Sequence, residues 1–253
     1  MQCVALLWVD MQCVILAGGL ATRMRPRTEV LPKILLPVAG RPFVEHQLEW
    51  LARHGVTRVI LSIGYLGELV RDHVRDGARF GLAVSYVDEG AELRGTAGAL
   101  RLALSRGALE EAFLVTYGDS FLPIDFGAVW GSFRAAGQPA LMTVFRNEGR
   151  WDTSNVIFER TGDGDEGRVV LYDKRRQTRP AADFTYIDYG LLALERRVIE
   201  REVPAAGKAD LAELLHALSR RDQLAGLEVH ERFHEIGSPE GLAELETWIA
   251  ARP

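Results

Sequence analysis

Over the first 120 residues, short apolar runs alternate with stretches in which apolar positions recur every three or four places. "CVILA" (13–17), "RVILSIG" (58–64), "LAVSYVD" (82–88) and "AFLVTYGD" (112–119) are almost continuously apolar, as strands buried on both faces should be. Between them, Val44, Leu48 and Leu51 fall at i, i+4 and i+7, and "GTAGALRLALSRG" is rich in Ala and Leu and stops at Gly107. After them, Phe126, Val129, Trp130 and Phe133 form a stripe behind Asp125, a residue suited to cap a helix. This alternation predicts an α/β fold: a Rossmann-like, mostly parallel central sheet flanked by helices.

From about residue 139 the rhythm changes. "ALMTVFR", "SNVIFER", "RVVLYDK" and "YIDYGLLAL" follow one another without helical patterns between them, and "TGDGDEG" reads as a hairpin turn. A mixed, partly antiparallel lobe is expected there. Helices return with the stripe Leu211, Leu214, Leu215 and Leu218 behind Asp210 and Glu213, and with Ser238 and Pro239 as N-cap and first residue of a last helix. No linker or hexapeptide repeat interrupts the chain. The division expected is one domain over 11–253, with a first half (11–138) and a second half (139–253). "MQCV" occurs twice, at residues 1 and 11. Residues 1–10 are taken as an extension before Met11 and given no catalytic role.

Composition narrows the class of ligand. With 253 residues, 47% hydrophobic and 26% charged, the chain can bury one full core. Its formal charge is −5, yet the loop from Gly18 to Lys33 holds Arg23, Arg25, Arg27 and Lys33 against the single acid Glu29. That loop is +3, so the remainder is −8. One short basic loop cannot cover a nucleic acid duplex, which needs a broad basic face; a small polyphosphate suits it. Cys3 and Cys13 form neither a disulfide framework nor a zinc site, so a reducing cytoplasm is expected. No apolar run approaches the roughly 20 residues of a membrane span, and no basic leader is seen. His46, His54, His73, His216, His230 and His234 lack ligand spacing, and no G-x-S-x-G occurs.

A strand ending in Gly18 and Gly19 lets backbone amides come close to a ligand, with Arg23 and Lys33 adding positive charge for phosphates. Neither G-x-x-x-x-G-K-[ST] nor G-x-G-x-x-G is present. "GGLATRMRPRTEVLPK" (18–33) resembles the signature of the sugar-1-phosphate nucleotidyltransferases, G-G-x-G-T-R-L-x-P-x-T-x-x-x-P-K, with Ala21 for Gly and Met24 for Leu. The resemblance implies that Arg23 and Lys33 are catalytic and that Leu16, Ala17, Gly18, Gly19 and Thr22 surround the nucleotide. It also implies that 11–138 is the nucleotide-binding half and 139–253 the sugar-phosphate-binding half, and it continues downstream. "DEGAELRGTAGALR" is similar to the segment that contacts the base, which brings in Glu89, Gly95 and Thr96. "YGDS" matches the motif whose aspartate, here Asp119, holds Mg2+. "YDKR" resembles E-K-P, with Asp173 for Glu and Lys174 on the sugar phosphate. "YIDYGLLAL" puts Asp188 and Gly190 against sugar hydroxyls, and "FHEIGSPEGL" gives Glu235 the place of the second metal carboxylate. Trp151, Asp152 and Asn155 lie where the family begins its sugar pocket. For Trp151, a core position and a flat wall for a pyranose stand equally.

The reaction implied is attack of a sugar 1-phosphate oxygen on the α-phosphorus of a nucleoside triphosphate, releasing pyrophosphate. The nucleophile is already anionic, so the task is to screen and align two polyanions. The absence of a β-helix looks like the compact bacterial members of the family, and by that analogy the expectation is GTP with heptose- or mannose-1-phosphate. The rivals are cytidylyl or uridylyl transfer to another phosphorylated acceptor, such as an amino sugar, phosphocholine or a phosphonate, and a catalytically silent nucleotide-sugar-binding regulatory subunit. A homodimer is the default assembly.

Overall fold

A computed structural model describes residues 10–19, 24, 26–90 and 92–252. Thr22, Arg23 and the first "MQCV" lie outside them. In chain order the strands are β1 (Gln12–Leu16), β2 (Pro37–Val38), β3 (Arg41–Pro42), β4 (Arg58–Ile63), β5 (Ala83–Asp88), β6 (Ala112–Tyr117), β7 (Ser120–Phe121), β8 (Ala140–Arg146), β9 (Val156–Arg160), β10 (Glu166–Tyr172), β11 (Tyr186–Glu195), β12 (Ala225–Val229) and β13 (His234–Glu235). The α-helices are α1 (Phe43–Arg53), α2 (Gly67–Val74), α3 (Gly95–Ser105), α4 (Phe126–Ala136), α5 (Arg196–Glu202), α6 (Leu211–Arg220) and α7 (Pro239–Ala250).

Nine strands form one sheet in the order β5-β4-β1-β6-β11-β8-β12-β10-β9. The first four positions are parallel throughout, while β11 enters antiparallel to both β6 and β8. The expected antiparallel part is thus a continuation of the same sheet. Helices cover both faces. One core gathers Ile15, Leu61 and Leu114 beneath Leu48, Leu51, Val70, Val129 and Leu245 of α1, α2, α4 and α7. The other gathers Val14, Ile60 and Val115 beneath Leu100, Ile199 and Leu215 of α3, α5 and α6. Three anticipated caps are made: Asp125 accepts from Gly127 and Ala128 N–H, Asp210 from Ala212 N–H and Ser238 from Gly241 N–H.

From β1 the chain crosses by α1 to β4 and β5, then returns by α3 on the opposite face to β6, on the other side of β1. The strand order reverses between β1 and β6, and the loops leaving their carboxyl ends diverge, opening the crevice in which α/β proteins bind ligands. Among the described residues no helix is long and apolar enough to cross a membrane.

Candidate active site

The crevice is a cleft of about 450 Å3 whose lining includes Leu16, Ala17, Gly18, Gly19, Lys33, Glu89, Gly95, Thr96, Tyr117 and Asp119. Nine of the sequence-derived candidates are therefore together. Backbone proximity explains the glycines. A Cβ on Gly64 would lie 2.9 Å from the Gly18 carbonyl oxygen, one on Gly118 2.9 Å from Ala17 Cβ, and one on Gly18 would overlap Glu89 Oε1. Glu89, just past β5, accepts from Ser62 Oγ at 3.2 Å and Arg94 N–H at 3.5 Å. Burial pushes its carboxyl above the usual range despite those bonds.

At the other side of the crevice Lys33 Nζ lies 2.7 Å from Asp119 Oδ2. The side chain of Lys33 is 15% exposed and that of Asp119 35%, so the pair lies at the cleft rather than in the core. β13 pairs antiparallel with β7, setting Glu235 opposite Ser120, and Ile236 N–H donates to the Asp119 carbonyl at 2.9 Å. The two candidate metal carboxylates thus come from adjacent chain segments. Hard carboxylate oxygens beside a site for phosphate oxygens are a donor set that fits Mg2+, which is commonly held by one or two carboxylates plus the substrate.

Gly95 and Thr96 line the cleft but also serve the fold. Gly95 has φ +73° and a Cβ there would overlap the Ala209 carbonyl oxygen. That same oxygen accepts from Ala97 and Gly98 N–H at 3.1 and 3.2 Å, capping α3. The Thr96 hydroxyl donates to Asp210 Oδ1 at 2.9 Å and accepts from Leu211 N–H at 2.8 Å, tying α3 to α6. Lys208, in this same loop, is a further cation at the cleft wall.

The acceptor candidates meet around the start of β11. A bulge between Asp188 and Leu192 interrupts the pairing with β8, made by Gly190 at φ +99°. Gly190 N–H donates to Asp188 Oδ1 at 3.0 Å, and Asn155 Oδ1 accepts from Asp188 N–H at 3.0 Å. Burial raises the Asp188 carboxyl to about 6 against the pull of Gly190 N–H, the Lys174 charge and the Tyr172 hydroxyl. Tyr117 joins the two ends: burial first, then the negative charges of Asp188, Asp210 and Asp119, push its hydroxyl upward. Lys174 is held by its neighbour. Asp173, buried, accepts from Arg175 N–H at 3.1 Å, Gln177 and Thr178 N–H at 2.9 Å and Thr178 Oγ1 at 2.6 Å, folding 174–178 into a tight loop. Trp151 is not core: it is 51% exposed, with the Arg232 guanidinium 3.7 Å from its ring centre. With Asp152 it lines a separate hollow of about 590 Å3.

Sequence reasoning missed three groups. Asp210 entered it only as a helix cap, and Lys208 and Gln47 did not enter it at all. Nothing local marks these roles, since the partners of Gln47 and Asp210 that matter here are 70 to 114 positions away and the place of Lys208 is set by the cleft itself.

The model of the nucleotidyl transferase family matches residues 12–246. The chain belongs to this family. It is 38% identical over 241 residues to the N-acetylmuramate alpha-1-phosphate uridylyltransferase of Neisseria meningitidis serogroup B, covering 95% of this chain and 99% of that protein. Over 210 residues it is 27% identical to the UTP–glucose-1-phosphate uridylyltransferase of Synechocystis, covering 79% of this chain and 53% of the relative. Guanylyl- and cytidylyltransferases of sugar phosphates match at 28%. The chain spans about half to three-fifths of the length of several of these relatives. A solved structure of a putative glucose-1-phosphate thymidylyltransferase from Bacillus anthracis shares the fold with a TM-score of 0.76 at 21% identity, covering 94% of this chain and 95% of that one.

Proposed function

We propose that this nucleotidyl transferase family member joins a nucleoside triphosphate to a sugar 1-phosphate, giving a nucleoside diphosphate sugar and pyrophosphate. The new bond runs from a sugar phosphate oxygen to the α-phosphorus, and the bond between the α-phosphorus and the bridging oxygen to the β-phosphorus breaks with its electrons leaving on pyrophosphate. The reading is carried by one observation: Lys33 and Asp119 pair in the wall of the crevice that also contains Gly18, Gly19 and Glu89. Gly18 and Gly19 admit the triphosphate close to the backbone. Lys33, together with Arg23 from the signature loop, neutralises it, while Lys174 on its Asp173-braced loop takes the acceptor phosphate. Asp188 accepts from acceptor hydroxyls, and Gly190 shapes the bulge that presents it. Asp119 and Glu235 are the residues that would hold Mg2+, whose charge screens the phosphate oxygens when bound. Catalysis in this arrangement is alignment and charge compensation, without a general base.

The nucleotide we propose is UTP, with N-acetylmuramate 1-phosphate as the acceptor type. Support comes from the uridylyltransferase matched along its whole length at 38% identity, against guanylyltransferases matched at 28% over 62% of theirs. One feature favours the guanylyl alternative expected from the sequence: Glu89 ends in a carboxylate, and guanine offers it two adjacent N–H donors, where uracil offers one.

The test is pyrophosphate release from UTP, GTP, CTP and dTTP, each with a panel of sugar 1-phosphates and Mg2+. Release that needs both substrates, and is fastest with UTP and N-acetylmuramate 1-phosphate, is the expected result. A folded protein that releases none with any pair would instead be the silent binding subunit, and the proposal fails.

A further inference from the structure

Gln47 lies on α1, on the face turned to the sheet, among Val44, Leu48 and Leu51. It is 5% exposed. Its Nε2 donates to the Tyr117 carbonyl at 2.8 Å and to the Ser120 carbonyl at 3.0 Å. With carbonyl oxygens on both sides, only the amide nitrogen can face them, so the orientation of the side chain is fixed by chemistry. Its Oε1 is buried without a hydrogen-bond partner.

The two carbonyls bracket Gly118 and Asp119. The same short turn is held from β1 by the bond from Gly118 N–H to the Leu16 carbonyl at 2.9 Å, and from the β13 side by Ile236 N–H on the Asp119 carbonyl. Each of those bonds fixes one peptide of the turn. Among the described residues Gln47 alone clasps both of its ends, 70 and 73 positions away in the chain. A buried amide with an unmet oxygen costs about 1–3 kcal/mol, where Met or Leu would pack among the same neighbours without that loss. A helix packed on a sheet needs no amide at this place. An aspartate that must meet a divalent ion does need a turn that cannot rock.

We infer that Gln47 is a positioning residue: it fixes the Asp119 turn so that the carboxylate is presented at the geometry a small, strongly directional cation requires. The inference rests on the reading of Asp119 as a metal ligand, and the experiment separates the two. Mn2+ binding in the presence of nucleotide is measured by electron paramagnetic resonance for wild type, Gln47→Met and Asp119→Asn. Melting temperature and steady-state kinetics are recorded alongside. Loss of a group that orients a ligand typically costs about 10–100-fold in metal affinity or activity. Gln47→Met is therefore expected to weaken Mn2+ binding and lower kcat by about 10–100-fold, with the KM for the sugar 1-phosphate within about twofold of wild type.

A purely structural Gln47 would lower the melting temperature and leave Mn2+ affinity of the folded protein unchanged; that result overturns the inference while Asp119→Asn still abolishes binding. If Mn2+ binds Asp119→Asn as it binds wild type, the reading of Asp119 itself is wrong and the inference goes with it. Should Gln47→Met not accumulate folded, Gln47→Glu keeps the shape, gives up at least one donor, and is judged by the same Mn2+ criterion.

Discussion

Replacing Lys33 by Met separates function from stability by amounts that can be worked out in advance. The ammonium is 2.7 Å from Asp119 Oδ2, with 15% and 35% of the two side chains exposed. A pair this open to solvent contributes about 1 kcal/mol at most to folding, and Met preserves the packing of the aliphatic stem. For a chain of this length 1 kcal/mol corresponds to a melting shift of about 2–4 °C. The catalytic term is larger. If Lys33 meets the charge that develops on the departing pyrophosphate, its loss resembles removal of one preorganised donor, about 10²–10³-fold in kcat or about 2.7–4 kcal/mol. The assay is continuous pyrophosphate release at saturating substrates, paired with calorimetric melting of the same preparation. Expected is a protein that melts within about 4 °C of wild type and turns over at least about 10²-fold more slowly. Turnover within about fivefold of wild type in the folded variant would refute the role given to Lys33, as would an activity loss that the unfolded fraction accounts for.

Three further outcomes are expected. Glu89→Gln presents uracil with one donor and one acceptor, so kcat/KM for UTP should stay within about threefold while that for GTP falls about 10–100-fold, the worth of a bidentate contact; a tenfold or greater loss with UTP would count against the base assignment. Asp188 titrates near 6 in the folded chain, above the roughly 3.9 of an unfolded aspartate, so the folded state keeps a proton the unfolded state has released, and stability declines as pH rises from about 4 to about 6. Asp188→Asn should flatten that decline in a series of melting temperatures, and an unchanged slope would show that Asp188 is not its source. Asp173→Ala removes the acceptor of four hydrogen bonds in the 174–178 loop; limited proteolysis should then cut after Arg175 or Arg176, and the KM for the sugar 1-phosphate should rise about tenfold as Lys174 loses its position, whereas an uncut loop with unchanged KM would defeat this account.

Much of the fold was legible because burial on both faces leaves an unmistakable trace: β1, β4, β6 and β8 are apolar runs, and α1, α4 and α6 are stripes, the last two with their caps in place. What escaped was short or carried charge. β12 is fully buried yet contains Glu228, whose carboxylate is satisfied by Arg160 and by the Tyr186 hydroxyl. α2 begins at Gly67 behind Leu66 at φ +57°, with no capping side chain. α5 buries only Val198 and Ile199 among charged neighbours. In each case the missing signal is a tertiary partner that no local window contains.

The candidate site divides along the same line. Gly18 and Lys33 were readable because a phosphate cleft needs close backbone and positive charge where a strand ends, while Glu89 and Asp119 came from the family resemblance; parallel strands bring these successive turns to one edge. Thr96 and Gln47 show where that reasoning stops. The Thr96 hydroxyl, assigned to the nucleotide by the resemblance, already donates to Asp210 and accepts from Leu211, so it has no proton left for a ligand and can meet one only as an acceptor or through its methyl group or backbone. Gln47, assigned nothing, spends both amide hydrogens on the turn that carries Asp119. Residue type tells what a group can bind, but the occupancy of its donors and acceptors decides whether any is left for a substrate. That occupancy is set by packing between elements far apart in the chain. A buried side chain whose donors are spent inside the protein acts on the ligand only through what it holds, which is why the amide of Gln47 is to be judged by Mn2+ affinity and not by substrate contact.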